Sequence, residues 1–321
     1  MTTPYLTPYR EAHPLKTKKL VIPTLILSIL LGGCSILEND HQGTSSTKKE
    51  QEKHYENNFI SVQKYTGQGY WSENGERNNR IAEENRNQVI QAVKHFFQTN
   101  YKTEVKVHNL VGNENGITVF VESIGELHFY TYAVVPIKGN KILTDRVWTQ
   151  KEDVDDAIRT GIYALVYDQQ FKNLDNYIQK LVLKDPIIGL RQEAVEKVGG
   201  NGYSTPYYYV SMTRDTVSVD LNNLYLKHPK WSSDEWKKAL TTAKIDPKLV
   251  SIAVQLYMKK PDEKPNKSIM NEIVSGIEKG KAFPQGSYNI VLHSNRINKA
   301  TARGEEKNEL ERANPNQIIK Y

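Results

Sequence analysis

The single cysteine of the chain, Cys34, is the side chain whose surroundings most clearly indicate chemistry. It ends the run Leu31-Gly-Gly-Cys, which follows an apolar stretch that begins at Leu20 and is preceded by three lysines. A basic segment, a short apolar segment and small residues at its end are typical of a secretory signal. The apolar stretch is well under the ~18–20 residues that a membrane-spanning helix needs. We therefore predict export, with Cys34 at the end of the signal segment.

Leu31, Gly32, Gly33 and Cys34 resemble the lipobox of bacterial lipoproteins at all four positions. The resemblance implies transfer of a diacylglyceryl group to the sulfur of Cys34 and cleavage between Gly33 and Cys34. Two acyl chains on one cysteine hold a protein firmly on a membrane, whereas one chain gives only reversible binding. The expected partner is therefore membrane lipid, and the expected location is the outer side of the cell membrane.

The residues around this motif are expected to be a leader and a tether. Residues 1–14 are polar and do not fit a signal peptide, and an assigned start that lies too early, with initiation at Leu15, explains them. The leader then extends to residue 33. Residues 34–58 are polar and charged, too poor in apolar surface to order themselves, and are expected to form a lipidated disordered tether.

The leader, the polar tether and the tyrosine-rich remainder together resemble the uncharacterised lipoproteins of low-GC Gram-positive bacteria, those of staphylococci in particular. The specific motif covers only residues 31–34, and the rest of the resemblance is one of overall composition and segment order. That family carries a domain of unknown function. The resemblance therefore implies a location and no catalytic residue.

Two histidines are the first candidates for chemistry in the body of the chain. His108 and His128 fall on neighbouring predicted strands, and Glu126 shares a face with His128 if the strand alternates. Such a set can hold a metal ion or move a proton, but the tight spacing of His-Glu-x-x-His is missing. We expect surface or hydrogen-bonded histidines, and we predict no metal and no cofactor.

Two other clusters have structural explanations. The acidic run at 152–156 lacks the spaced ligands and central glycine of a calcium loop, and carboxylates are favoured at the start of a helix. The Gly-Gly-Asn-Gly run at 199–202 follows a predicted helix, whereas a phosphate loop leads into one. Because a Gly-x-Ser-x-Gly motif is also missing, the sequence predicts no catalytic residue.

Aromatic side chains are the candidates for binding, because exposed rings can stack on sugar rings of the cell wall or anchor a protein partner. In a strand, Tyr207 and Tyr209 face one way and Tyr208 the other, so at least one of these faces packs in the core. Plain packing is the favoured interpretation for this run. The candidates are Tyr70, Trp71, Tyr203, Tyr207, Tyr208 and Tyr209.

The charge balance does not indicate nucleic-acid binding. The formal net charge is +6, but four basic residues and one acidic residue precede Cys34, so the chain from Cys34 onward carries +3. A nucleic-acid-binding domain concentrates far more positive charge on one surface. We therefore predict no nucleic-acid partner.

The elements that position these residues predict an α+β fold. Apolar spacing predicts a helix over 80–99, then strands over 105–110, 117–121 and 127–137 with a turn at 113–116. A helix packed on an antiparallel meander, by analogy with cystatin-like or nuclear-transport-factor-like proteins, is expected over 59–145. A second, helix-rich α+β unit is expected over 146–294, with a strand at 250–258 and a capping box at Ser232 and Glu235. The charged segment 295–321 is expected to be a flexible tail.

Three functions remain open on the sequence. The first is a non-catalytic surface protein that binds a protein or wall component. The second is a solute-binding receptor of an importer, which needs repeated β-α units in two lobes, against the predicted helix and meander. The third is a wall- or peptide-processing enzyme, against which the missing motifs count.

Overall fold

A computed structural model describes residues 58–72, 74–198 and 200–321, and within them the chain forms eight α-helices and thirteen strands. The helices are α1 (Glu76–Glu84), α2 (Arg86–Tyr101), α3 (Lys151–Val166), α4 (Asp168–Lys184), α5 (Gln192–Val198), α6 (Leu221–Lys227), α7 (Ser233–Ala239) and α8 (Lys267–Lys279). The strands are β1 (Phe59–Ser61), β2 (Val105–Asn113), β3 (Gly116–Ser123), β4 (Tyr130–Lys138), β5 (Lys141–Ile142), β6 (Ile187–Ile188), β7 (Tyr208–Met212), β8 (Val250–Met258), β9 (Gly286–His293), β10 (Arg296–Asn298), β11 (Arg303–Gly304), β12 (Glu309–Arg312) and β13 (Ile318–Lys320). The α+β prediction is confirmed.

The first sheet is an antiparallel meander in the order β2-β3-β4-β5, and a helix covers one of its faces, as predicted. Val89, Val93 and Phe97 recur at helical spacing on α2 and are completely buried. They pack in one cluster with Val119 and Val121 of β3. The apolar stripe of α2 therefore fixes which face of the meander becomes core.

The helix predicted over 80–99 is two helices, α1 and α2, separated at Asn85. The side-chain amide of Asn85 donates to the carbonyl of Ile81 at 2.9 Å, and the backbone there leaves helical geometry with φ −118° and ψ 22°. Asparagine side chains compete with the backbone for hydrogen bonds in this way. The apolar spacing alone could not show this break.

The second sheet is mixed, in the order β12-β9-β8-β6, with β7 also paired to β8 and β13 also paired to β9. Strands β8 and β9 run parallel, with Ser251 opposite Ser287 and Tyr257 opposite His293, and α8 forms the crossover between them. Parallel neighbours need such a crossover. The predicted strand at 250–258 matches β8 in both bounds.

The segment 295–321, expected to be a flexible tail, is paired into sheets instead. Strand β10 pairs with β1 and β11, while β12 and β13 pair with β9. These four strands are two to four residues long, and each is held by backbone pairing with a neighbouring strand. The composition of the segment gives no signal of such pairing, which is why the expectation was wrong.

One large cluster of buried side chains includes residues on both sides of position 145. Its central element is α3, in which residues 156–164 are all buried. A helix buried on every side lies inside a core rather than on a surface.

Within the part of the chain described here, no helix is both long and apolar enough to cross a membrane.

Candidate functional site

The meander has a second face, opposite α2, that carries the most distinctive group of side chains. Because side chains alternate along a strand, Phe120 and Glu122 of β3 point away from the α2 side. Their register partners on β4, Tyr132 and Tyr130, lie on the same side. We call this the outer face of the meander: Thr118, Phe120, Glu122, Tyr130, Tyr132 and Val134.

One half of the outer face is aromatic and apolar. The ring of Tyr70 packs edge-on against Phe120, with centroids 5.7 Å apart. Trp148 exchanges two backbone hydrogen bonds with Val134, at 2.7 and 3.0 Å, so both side chains lie on one side of the sheet. Trp148 remains 47% exposed, and Trp71, which follows Tyr70, is 48% exposed. We use the name aromatic patch for Tyr70, Trp148 and Trp71, the last of which is included as the exposed chain neighbour of Tyr70.

The other half of the outer face is ionisable. His108 Nε2 lies 2.7 Å from Glu122 Oε2, and His108 Nδ1 lies 3.5 Å from Glu196 Oε2 on α5. His128 Nδ1 lies 3.5 Å from the second oxygen of Glu122. We call these four residues the His–Glu cluster. A shift in register between Val107 and Asn109 makes His108 a bulged residue, and bulges re-aim side chains in this way.

The environment favours the neutral forms of His128, a member of the cluster, and of its neighbour Tyr130. Burial lowers the pKa of His128, and the carboxylate of Glu122 offsets part of this effect. Burial, then the charge of Glu122, raise the pKa of Tyr130 to about 12. The rings of His128 and Tyr130 meet edge to face with centroids 5.1 Å apart. The cluster therefore places His108 between two carboxyl groups, those of Glu122 and Glu196.

The partner expected for His128 is different in the structure. Glu126 accepts a hydrogen bond from the backbone N–H of Ser233 at 3.0 Å and takes no part in the cluster. Residues 124–129 form an irregular connection rather than a strand, so the alternation rule does not apply to them. In the described part of the chain, no group of three or more histidine, cysteine or acidic side chains has an arrangement suited to a metal ion.

The tyrosines of the 203–209 run are divided between core and surface. Tyr208 is 2% exposed, donates to Asp175 Oδ1 at 2.7 Å and stacks on Phe171, so its ring is out of reach of a partner. Tyr203 is half-buried and also packs on Phe171, and Tyr207 is half-buried as well. Tyr209, on the opposite face of β7, is 41% exposed.

The acidic run at 152–156 and the described residues of the glycine-rich run at 199–202 make structural contacts. Glu152 and Asp153 lie in the first turn of α3, and Asp153 accepts a hydrogen bond from the hydroxyl of Tyr132 at 2.6 Å. Gly202 exchanges two backbone hydrogen bonds with Tyr130, at 2.8 and 2.9 Å. Asn201 Nδ2 donates to the carbonyl of Asp153. These contacts tie the loop after α5 to β4 and α3.

The sequence did not single out Glu122, Glu196 or Trp148. The alternation of side chains along β3 places Glu122 on the same face as Phe120, and this placement could have been predicted from the sequence. Glu196 lies on α5, and nothing in the sequence of α5 indicates that this helix contacts β2. The predicted lipidation site at Cys34, with Leu31, Gly32 and Gly33, lies outside the described residues.

Comparisons with known proteins define the family. The chain is similar to a DUF1672 family protein from Staphylococcus aureus subsp. aureus Mu50, whose crystal structure was determined at 1.80 Å. The TM-score is 0.65 at 17% identity, over 82% of this chain and 98% of the other, which shows a shared fold. No curated protein matches the chain. The family model described as "Protein of unknown function (DUF1672)" matches residues 52–320, and the chain therefore belongs to this family.

Proposed function

We propose that the protein is an extracytoplasmic binding protein that is held on the outside of the cell membrane by a diacylglyceryl group on Cys34. The support is the pattern of residues 16–34, in which the sole cysteine follows Leu31-Gly32-Gly33 at the end of a signal-like apolar stretch. Such an anchor places the rest of the chain on the outer side of the membrane, beside the cell wall.

Replacing Cys34 by alanine is expected to abolish membrane anchoring. Each buried methylene contributes about 0.8 kcal/mol, so loss of two acyl chains removes the main attachment. Cell fractionation followed by mass spectrometry of the N-terminal peptide measures the result, with Ser35→Ala as the matched control. Retention of Cys34→Ala on the membrane at the level of Ser35→Ala, or a bare thiol on Cys34 in the unaltered protein, would refute the anchor.

The aromatic patch is the observation that supports binding. Tryptophan is highly buried on average in folded proteins, yet Trp71 and Trp148 leave about half of their surfaces in water. The ring of Tyr70 packs on Phe120, and Trp148 is joined to Val134 by two backbone hydrogen bonds, so Tyr70 and Trp148 have an ordered support. We propose that it stacks on sugar rings of a cell-wall component, the macromolecule nearest to an anchored body.

Removing the tryptophan rings is expected to weaken wall binding by about 10-fold or more for Trp71→Ala and for Trp148→Ala, because interface tryptophans carry much of the binding energy. Co-sedimentation of the full chain, purified in detergent, with isolated cell-wall glycan measures it. Leu183→Ala removes another exposed apolar side chain, on α4, and serves as the control. Equal binding by all three variants, or crosslinking in intact cells to a protein through the patch, would show the assignment to be wrong.

The receptor and the enzyme stay alternatives with less support. Two of the best-formed cavities of the described residues measure about 240 and 170 Å³, below the ~300–1,000 Å³ typical of sites for drug-sized ligands. Neither cavity includes a residue of the His–Glu cluster. A large solute is therefore poorly accommodated in either cavity. The His–Glu cluster, the candidate for acid–base chemistry, lies outside both cavities.

A further inference from the structure

The smaller cavity, of about 170 Å³, lies between α3, the 3₁₀ turn Arg214–Thr216 and the start of α6. Its lining is unusual because two arginines and two aspartates contribute to it, with apolar side chains between them. The four charged residues are Arg159, Arg214, Asp215 and Asp220. Opposite charges thus face one small space.

Arg159 is the buried member of this set, with 8% of its surface exposed. Its Nη1 donates to Asn222 Oδ1 at 3.0 Å, and its Nη2 donates to the carbonyl of Met212 at 3.2 Å. Asn222 is itself fixed, since its Nδ2 donates to the carbonyl of Asp155 at 2.9 Å. Nε of Arg159 is buried without any hydrogen-bond acceptor. The guanidinium is held in place, and its hydrogen-bonding capacity is not used up.

The charge of Arg159 is incompletely neutralised by the protein. The nearest carboxylate oxygen is Oδ1 of Asp156, 3.7 Å from Nη2, and it already accepts the backbone N–H of Met212 at 2.8 Å. Burial raises the pKa of Asp156 to about 7, although the Met212 N–H and Arg159 both lower it. Near neutral pH Asp156 is therefore ionised only in part. A permanently charged buried arginine calls for a further anion.

The rim of the cavity carries both signs of charge. Arg214 and Asp215 are exposed neighbours, and in the described residues neither side chain makes a hydrogen bond or an ion pair. Asp220 accepts the backbone N–H of Asn223 at 3.1 Å and retains a second carboxylate oxygen. Cationic and acidic groups that line one space without pairing are suited to a ligand that carries both charges.

We propose that this cavity binds a small free α-amino acid. The ligand carboxylate lies against the guanidinium groups of Arg159 and Arg214, which match a carboxylate in geometry as well as in charge. The ligand ammonium lies against Asp215 and Asp220. The volume restricts the ligand to a small side chain. This site is separate from the aromatic patch, so it stands or fails independently of wall binding.

Calorimetric titration of the full chain in detergent tests the proposal with four probes: L-alanine, D-alanine, N-acetyl-L-alanine and L-alanine methyl ester. Saturable binding is expected for at least one alanine enantiomer. Binding of the two blocked compounds is expected to be at least ~10-fold weaker, since each lacks one charge. Equal binding of alanine and N-acetyl-L-alanine would overturn the assignment of a zwitterion, and absence of saturable binding by either enantiomer would overturn the site.

Variants at the exposed rim separate binding from folding. Arg214→Ala is expected to weaken alanine binding at least ~10-fold, and Asp215→Asn to weaken alanine but not N-acetyl-L-alanine. Neither side chain holds another part of the described fold, so thermal unfolding should be unchanged. Arg80→Ala, at an exposed arginine on α1, is the control. Unchanged alanine binding by Arg214→Ala would contradict the proposal.

Discussion

Gly112→Ala is expected to destabilise the protein by about 3 kcal/mol, the upper part of the range for overpacked sites. An added Cβ would lie 2.3 Å from the carbonyl oxygen of Gly75 and 2.4 Å from the backbone nitrogen of Asn79. Both atoms belong to the backbone at the start of α1, and Gly112 N–H also donates to Asn79 Oδ1 at 2.6 Å. No flexible side chain can yield there, so α1 must move away from β2.

Chemical denaturation and thermal melting measure this loss. For a body of this size about 3 kcal/mol corresponds to a fall of roughly 6–12 °C in Tm. Gly139→Ala is the control, since an added Cβ there has nothing within 4 Å, although φ is +59°. That left-handed conformation costs an alanine about 1–2 kcal/mol. If the Gly112→Ala protein were at least as stable as Gly139→Ala, the close approach of Gly112 to the backbone of α1 would not be needed to hold α1 against β2.

Asp156→Asn is expected to change how stability depends on pH. Burial raises the pKa of Asp156 from 3.8 to about 7 in the folded protein, with Asp153 adding to the increase and Met212 N–H and Arg159 opposing it. Between these values the folded state keeps a proton that the unfolded state has lost, so the free energy of unfolding falls as pH rises. A difference of about 3 in pKa corresponds to about 4 kcal/mol. Asparagine stays neutral and escapes this loss.

The measurement is the free energy of unfolding of Asp156→Asn minus that of the unaltered protein, followed from pH 4 to pH 8. We expect this difference to rise by about 4 kcal/mol across the range, whatever its value at pH 4. Asp145→Asn removes an exposed aspartate and serves as the control. A difference for Asp156→Asn that stays constant with pH would mean that this carboxyl group is ionised throughout.

Local signals in the sequence predict the elements that they directly control. The apolar stripe of α8, with Ile269, Ile273 and Ile277 on one side, identifies that helix without its neighbours. The capping box at Ser232 and Glu235 marks the start of α7, where both reciprocal hydrogen bonds form. In these cases the stabilising contacts are made within a few residues of one another, so the sequence shows them.

Contacts between distant elements explain what the sequence did not show. The His–Glu cluster needs a bulge at His108, the alternation of β3 and the placement of α5, and only their assembly brings Glu196 to His108. The same holds for Arg159, which in the sequence is a single basic residue within the apolar part of α3. Its burial follows from packing on every side of α3, which depends on β7 and α6.

The way in which β9 is covered determines when the chain can finish folding. Its outer edge pairs with β12 and β13, and Lys320 Nζ donates to the carbonyl of Ile277 at 2.8 Å. Residues 309–320 are translated after every other described element, so the central sheet keeps an open edge until they emerge. The open edge makes truncated products prone to edge-to-edge aggregation.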